Sequence, residues 1–384
     1  MATRAEPVAT RRERPLWLDH VIGQGLALAV AFLFAGVLGS IIILLYDESP
    51  VTAFLTVWRF STARPQDFAQ VLENATPLIF SGLAVAVAFK AGLFNIGVEG
   101  QYIVGMMTAS TVALGLRSLP AVILLPLVVL AAVAGALIWA AIPALLKVRT
   151  GAHEVVTTIM LNGIAISLVA WTILNPLRST DKELIDLRTD IFPDAALVPS
   201  IAGPFGLDDV IPDSVHLTWL FPLALVACVG VWFLMFRTRL GYEVRAVGSS
   251  SGSAEAGGIS IGAAQIKIFL ISGALAGFVG LNHILGDQGY LGSNYETGLG
   301  FAGIAVAFLG RNHPAGIPLA AILLGMLLRG QDGIAVTTDL PTEILIILQG
   351  VLILAVVIAY EIVSRTLARR RQREVRFEES ASDA

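Results

Sequence analysis

The residues that could do chemistry are few, and their spacing rules most chemistry out. The five histidines, at 20, 153, 216, 283 and 313, contain no i,i+4 histidine pair, and neither H-E-x-x-H nor G-x-S-x-G occurs. The one cysteine, Cys228, lies in an apolar run. An intrachain disulfide is therefore excluded, and a thiolate metal cluster is not expected. Four lysines, at 90, 147, 182 and 267, precede Ala91, Val148, Glu183 and Ile268. A P-loop needs lysine followed by Ser or Thr, because both side chains must reach phosphate and magnesium. The expectation is a chain with no catalytic residues, no metal and no cofactor of its own. Any ATP-driven work would belong to another subunit.

What is left is polar groups in apolar surroundings. Gly92–Gln101, GLFNIGVEGQ, carries three glycines beside Asn95, Glu99 and Gln101, between two apolar runs. Glycines weaken regular helix, and irregular backbone at membrane depth is tolerated only inside protein or beside water. If Asn95 and Glu99 are both helical, their i,i+4 spacing puts them on one face. Two readings stand: a polar hinge beside a translocation path, or side chains that cap a broken helix and never meet solute. Further on, Thr150 is a possible helix N-cap with Glu154 in the first turn. Glu154, Thr158 and Asn162 then recur every four residues, a polar stripe that must face a cavity or another helix. Gly273 and Gly277 form a G-x-x-x-G suited to close helix packing.

The elements that must position these residues follow from composition. Of 384 residues, 56% are apolar and 14% charged, with mean hydropathy +0.79. A soluble chain carries about a quarter charged residues, so a soluble enzyme and a disordered chain are both excluded. The apolar residues fall in runs of spanning length. They predict an all-α polytopic membrane protein of about ten helices, near 21–46, 68–90, 96–116, 119–147, 153–174, 217–236, 265–285, 298–311, 315–332 and 341–364. The eighth and ninth are short, cut by Gly310, Pro314 and Gly316, and read as a broken pair or two spans. The first run lacks a small-residue cleavage site, so no cleaved signal peptide is expected. With both termini cytoplasmic, 18 of the 25 Lys and Arg lie inside, as the positive-inside rule requires. The chain divides into a cytoplasmic tail 1–20, a transmembrane region 21–364, and a basic then acidic cytoplasmic tail 365–384.

Two connections stand out. Residues 175–216 hold eight acids, three bases and five prolines. They read as a solvated external excursion, or as a docking surface for an external partner. Residues 237–264 are cytoplasmic, with Arg237, Arg239 and Arg245 before a Gly/Ser-rich stretch. This is either a flexible linker or a short small-residue helix seated on a cytoplasmic partner.

At this point a resemblance is clear. Gly92–Gln101 resembles the signature of the permease subunits of bacterial ABC importers for nucleosides and simple sugars, within the branched-chain amino acid and ribose-type superfamily. It continues in Thr150–Asn162, Arg245–Ile259, Gly300–Gly316 (GFAGIAVAFLGRNHPAG) and the last span. The form is similar to the longer of two paralogous nucleoside permeases. The resemblance implies a multi-pass protein of the bacterial plasma membrane that takes up nucleosides. It implies a second permease as partner, a cytoplasmic ATPase with two nucleotide-binding domains that holds ATP and Mg, and an external substrate-binding lipoprotein. The other contacts are membrane lipid, with no nucleic acid. Phe94, Asn95, Glu99, Gln101, Thr158 and Asn162 are the candidates for the substrate pathway. Arg245, Gly248, Ala254, Glu255, Gly258 and Ile259 fall in the segment that couples to the ATPase. Gly252 stands where the family commonly has an acid, and Glu255 is the nearest acidic residue. The rival readings are a permease for a simple sugar such as ribose, and an ATP-independent secondary transporter or channel, which also use broken helices.

Overall fold

The computed structural model describes residues 30, 33–181, 185–207, 210–212 and 214–338, with single positions between 347 and 362. Residues 1–50 with 346–384 form one compact unit, and 51–345 the other. The first contains α1 (Leu33–Leu44) among its described residues. The expected terminal tails, the start of the first helix and most of the last span lie outside the described residues.

The second unit is helical. Its order is α2 (Pro50–Thr62), α3 (Pro65–Phe89), α4 (Val98–Gly115), α5 (Ala121–Thr150), α6 (Glu154–Leu174), α7 (Leu220–Arg237), α8 (Arg239–Ser249), α9 (Ser251–Ala256), α10 (Ile261–Ala276), α11 (Leu299–Leu309) and α12 (Ile317–Thr337). Among the described residues five helices are long and apolar enough to cross a membrane: α3, α5, α6, α7 and α12. At 11 residues, α11 rises about 16 Å, half the thickness of a hydrocarbon core.

The short amphipathic α2 breaks the expected pattern, because a search for spanning runs passes over 13 residues with Arg59 among them. It packs on α12: the Ser61 hydroxyl donates to the Met326 carbonyl at 2.9 Å. The most central span is α3, with 89% of its apolar window buried, against 28% for both α5 and α7. Those two present apolar side chains outward, including Ile123, Leu130 and Val226. Such faces are stable against lipid and would be a liability in water. The chain is an integral membrane protein on this evidence.

Close approach fixes the interior. Around α11, a Cβ on Gly82 would stand 2.6 Å from Val306, and one on Gly303 would collide with Ser81. Elsewhere α10 and the residue after it lie against α5 through Gly273 and Gly277, where a Cβ on Gly277 would sit 2.7 Å from the Val133 Cα. The G-x-x-x-G thus serves packing. The expected unbroken seventh helix does not form. After Ala276 the chain turns through residues 277–280, then enters a π-helical turn, Asn282–Asp287. Such turns recur at functional sites, because the extra residue re-aims side chains.

The segment 175–216 is anchored. Between its two 3₁₀ turns and ends, Thr189, Phe192 and Val198 donate backbone bonds of 2.8–3.0 Å to Leu291, Gly289 and Leu285. Arg188 lies 4.5 Å over the Tyr290 ring. Asp190 accepts from the Thr180 amide and the Ser179 hydroxyl, both at 2.8 Å, and lies 3.8 Å from Arg117. These donors hold the Asp190 carboxyl below its ordinary pKa. The segment's backbone thus pairs with residues 285–293 while side chains such as Ile185, Ile191 and Phe205 stay exposed.

Candidate functional site

Two polar assemblies meet at the start of α11. The first is a lattice built on Gly92–Gln101. Phe89 ends α3, residues 93–95 are non-helical, and α4 begins at Val98. Asn95 therefore precedes the helix and shares no helical face with Glu99. Its amide pairs reciprocally with that of Gln101, at 3.1 Å in both directions, and donates to Ser272 Oγ at 2.8 Å. The Gly97 amide donates to Asn95 Oδ1 at 3.0 Å, and Ser272 passes the chain on to the Ala84 carbonyl at 2.7 Å. A buried amide with all these partners is satisfied.

From α6, Asn162 pins the same segment. Its Oδ1 accepts from the Gly100 amide at 2.9 Å, and its Nδ2 donates to the Ile96 carbonyl at 3.0 Å. Thr158 donates to the Glu154 carbonyl at 2.7 Å, and its Cβ lies 3.0 Å from where a Gly97 Cβ would stand. The stripe thus faces another element, one of the two expected environments. Its cap differs from expectation. Thr150 is the last residue of α5, because Gly151 takes a left-handed φ of 72° and closes that helix. His153 caps α6, its Nδ1 accepting from Val155 at 3.3 Å. Glu154 turns back to Lys147 at 2.6 Å.

Glu99 caps a helix other than its own. Its Oε1 accepts from the Gly298 amide at 2.7 Å and its Oε2 from the Gly300 amide at 2.8 Å. These are the unpaired first amides of α11, where a negative charge meets the positive end of the helix dipole. A Cβ on Gly300 would run into the Glu99 backbone, so glycine is required there. The Tyr102 hydroxyl lies 2.9 Å from both Glu99 Oε1 and the Glu296 carbonyl. Phe94 packs elsewhere, in an aromatic cluster with Phe89 at 6.2 Å and Phe308 at 6.4 Å.

The second assembly is a cavity of about 240 Å³. Gln70, Glu73 and Asn74 line it from α3, and Asn282, His283 and Asp287 from the π turn. Ser214 and His216 line it from the end of the 175–216 segment, and Glu296 from the coil before α11. Pro77, Val279 and Leu299 supply apolar wall. Glu73 Oε2 accepts from the His216 amide at 2.8 Å and from Gln70 at 2.7 Å. The His216 imidazole lies 3.4 Å from Asp287, and His283 lies 3.8 Å from the same carboxylate. Asn282 Oδ1 accepts from Thr218 at 3.0 Å. Pro77 lacks the amide that would bond the Glu73 carbonyl in a regular helix. The volume is a little under the roughly 300 Å³ at which ligand pockets usually begin. Its lining combines polar groups with an apolar wall.

None of Phe94, Asn95, Glu99, Gln101, Thr158 or Asn162 lines this cavity. The sequence reading missed Glu73, Asn74, His283, Asp287 and Glu296. A signal existed: Glu73 is an ionisable residue inside an apolar run, and His283 and Asp287 stand at i,i+4 in another.

At the segment 237–264 the helical alternative holds, with α8 and α9 in place of a flexible linker. Thr238 caps α8 by accepting from Gly241 at 3.1 Å, and Ser250 caps α9 by accepting from Ser253 at 3.3 Å. The end of α9 closes through Ile259, whose amide donates to the Ala254 carbonyl at 3.0 Å, with Gly258 left-handed at φ 79°. Ala254 packs with Val247, Ala264 and Ile259. Arg245 stacks 5.4 Å over Phe236. Glu255 is exposed. Gly248 approaches the Lys90 carbonyl and Gly92 so closely that a Cβ would collide with that carbonyl.

Comparison with known proteins places the sequence among transport proteins. A guanosine ABC transporter permease protein, NupP of Bacillus subtilis, is 37% identical over 335 residues, 87% of this chain and 93% of its own length. A glucose ABC transporter permease protein, TsgB13 of Haloferax volcanii, is 34% identical over 90% of this chain and 88% of its own. A nucleoside ABC transporter permease protein, NupB of Lactococcus lactis, is 31% identical over 86% and 90%. The same two bacteria each hold a second, more distant match at 26% identity. No solved structure matches. Residues 68–357 match the family described as branched-chain amino acid transport system / permease component. With three quarters of its length inside that match, the chain belongs to this family of ABC transporter permeases.

Proposed function

We propose that the chain is the membrane-spanning permease subunit of an ABC importer for nucleosides in the bacterial plasma membrane. The observation that carries the nucleoside reading is the near end-to-end similarity to two permeases so named, for guanosine and for nucleosides. The cavity supports it: an apolar wall of Pro77, Val279 and Leu299 suits a base, and the surrounding amides and carboxylates suit a sugar. In this reading the lattice from Asn95 to Asn162 positions the cavity and does not touch solute. A separate ATPase supplies the energy. Its docking surface is α8 and α9, and Gly248 against Lys90 carries the movement to the start of Gly92–Gln101. The second match in each of two bacteria supports a paralogous permease as partner. An external binding lipoprotein delivers the solute, and about ten spans with both termini inside complete the topology.

The test is reconstitution of the whole complex in vesicles. Nucleosides should stimulate ATP hydrolysis when the binding protein is present. Absence of stimulation by every nucleoside and sugar sinks the importer reading. The relative named for glucose favours a second reading, a simple-sugar permease. Stimulation by hexose but by no nucleoside would decide for it.

A further inference from the structure

The cavity is lined by one exposed carboxylate that the protein itself does not use. Among the described residues, Glu296 makes no side-chain hydrogen bond and no ion pair, while its backbone carbonyl is fixed on Tyr102 at 2.9 Å. Of the other two carboxylates lining the cavity, Asp287 faces His216 and His283, and Glu73 has spent one oxygen on His216 and Gln70. Among the described residues no lysine or arginine lines the cavity. Among the described lining residues, the groups with no partner include acceptors on Glu296 and Glu73 Oε1, the Ser214 hydroxyl, the Asn74 amide and Asn282 Nδ2.

That set describes a ligand rich in hydroxyl donors and free of negative charge. Two hydroxyls on adjacent carbons donate side by side to the two oxygens of one carboxylate, and a charged acceptor makes such bonds roughly twice as strong as neutral ones. An acidic side chain holds ribose in this way in dinucleotide-binding folds. A phosphate ester would place like charge against three carboxylates with no lysine or arginine among the described lining residues to answer it. Ribonucleosides and hexoses share the vicinal diol, and permeases named for guanosine and for glucose are both similar to this chain.

Resting on the importer reading above, we infer that Glu296 binds the vicinal diol of the transported solute and makes the permease selective for unphosphorylated, diol-bearing compounds. Glu296 is a specificity residue, fixed in place by the Tyr102 contact to its carbonyl.

The experiment uses the full complex in vesicles with its binding protein held at saturation. Uptake of guanosine, 2′,3′-dideoxyguanosine and glucose is compared for the native chain and for Glu296→Gln. The binding protein is the same in both, so a change in the ratio of the two guanosine compounds arises in this chain. Native vesicles should import guanosine faster than the dideoxy compound. Glu296→Gln should slow guanosine by about 10- to 100-fold, the worth of a hydrogen bond to a charged group, and leave the dideoxy rate where it was, so that the ratio collapses. An equal fall in both rates, or no fall in either, overturns the inference. Glucose in place of guanosine as the fast substrate identifies a hexose as the diol source and retains the Glu296 claim. If native vesicles import none of the three, the importer reading itself has failed. Glu296→Asp keeps the carboxylate and should recover part of the guanosine rate. Co-purification of the partner subunits confirms that each variant assembles.

Discussion

Replacing Glu99 by glutamine keeps the side chain's size and removes its charge. The native carboxylate accepts from the Gly298 amide at 2.7 Å and the Gly300 amide at 2.8 Å, and shares the one Tyr102 hydroxyl proton, at 2.9 Å, with the Glu296 carbonyl. Glutamine offers one acceptor oxygen and brings an NH₂ group of its own, so one amide at the start of α11 loses its partner. Losing one hydrogen bond to a charged acceptor costs about 1.5–3 kcal/mol. Losing the anion at the helix terminus adds up to about 2 kcal/mol in a buried setting. The two overlap, because the same oxygens serve both, so the expected loss is about 3 kcal/mol. That corresponds to a fall in melting temperature on the order of 5–10 °C. Cys228 supplies the assay: it is the chain's one cysteine and is buried, so a thiol-reactive fluorogenic dye reports its exposure on heating in detergent. Glu99→Asp retains the charge and should melt between the two. A Glu99→Gln protein that melts with the parent, whatever its transport rate, would refute the capping assignment. If its transport alone collapsed, Glu99 would have to act on the solute.

Further expectations follow from the same geometry. Asn162→Ala strands the buried Gly100 amide and the part-buried Ile96 carbonyl; it should cost about 2–6 kcal/mol, at 1–3 for each orphaned group, and be visible in the same dye assay. Gly248→Val places side-chain atoms against the Lys90 carbonyl. It should cut uptake in vesicles while the ATPase still co-purifies, and unaltered uptake would remove the proposed link between α8 and Gly92–Gln101. Replacing 249–256 with a flexible Gly/Ser linker removes α9, and ATPase co-purification should be lost. Asp190 has a lowered folded pKa, so its contribution to anchoring the 175–216 segment is full above its unfolded value of about 3.9 and is lost as pH falls through the folded value. Hydrogen exchange at Thr180 should therefore be constant from neutral pH to about pH 5, after correction for intrinsic rates, and rise on further acidification; Asp190→Ala should show the raised rate throughout.

The sequence made the apolar helices legible because spanning length and composition are themselves the physical requirement. The cores of α3, α5, α6 and α7 lie where the apolar runs are. The break at Gly310–Gly316 was legible for a related reason: Gly316 approaches the Gly310 carbonyl too closely for any side chain. What escaped was structure decided by long-range partners. The end of α10 depends on how residues 277–280 meet α4 and α5, where a Cβ on Gly280 would strike Met106. The role of Glu99 could not be read from its own helix, since its partners are two amides some 200 positions away. The cavity residues escaped through averaging. Glu73 vanished into a hydrophobic window, and the histidines were set aside for lacking metal spacing, although His283 and Asp287 occupy adjacent turns. The polar segment Gly92–Gln101 was found correctly as unusual, and its side chains are occupied with one another and with α6, α10 and α11.

The most direct measurement is guanosine uptake into sealed vesicles that contain this chain with its ATPase, second permease and binding protein. Accumulation should depend on ATP and be outcompeted by other ribonucleosides. ATP hydrolysis should rise when the loaded binding protein is added. ATP-independent guanosine equilibration through this chain alone, or no response to any nucleoside or sugar in the complete assembly, would contradict the account.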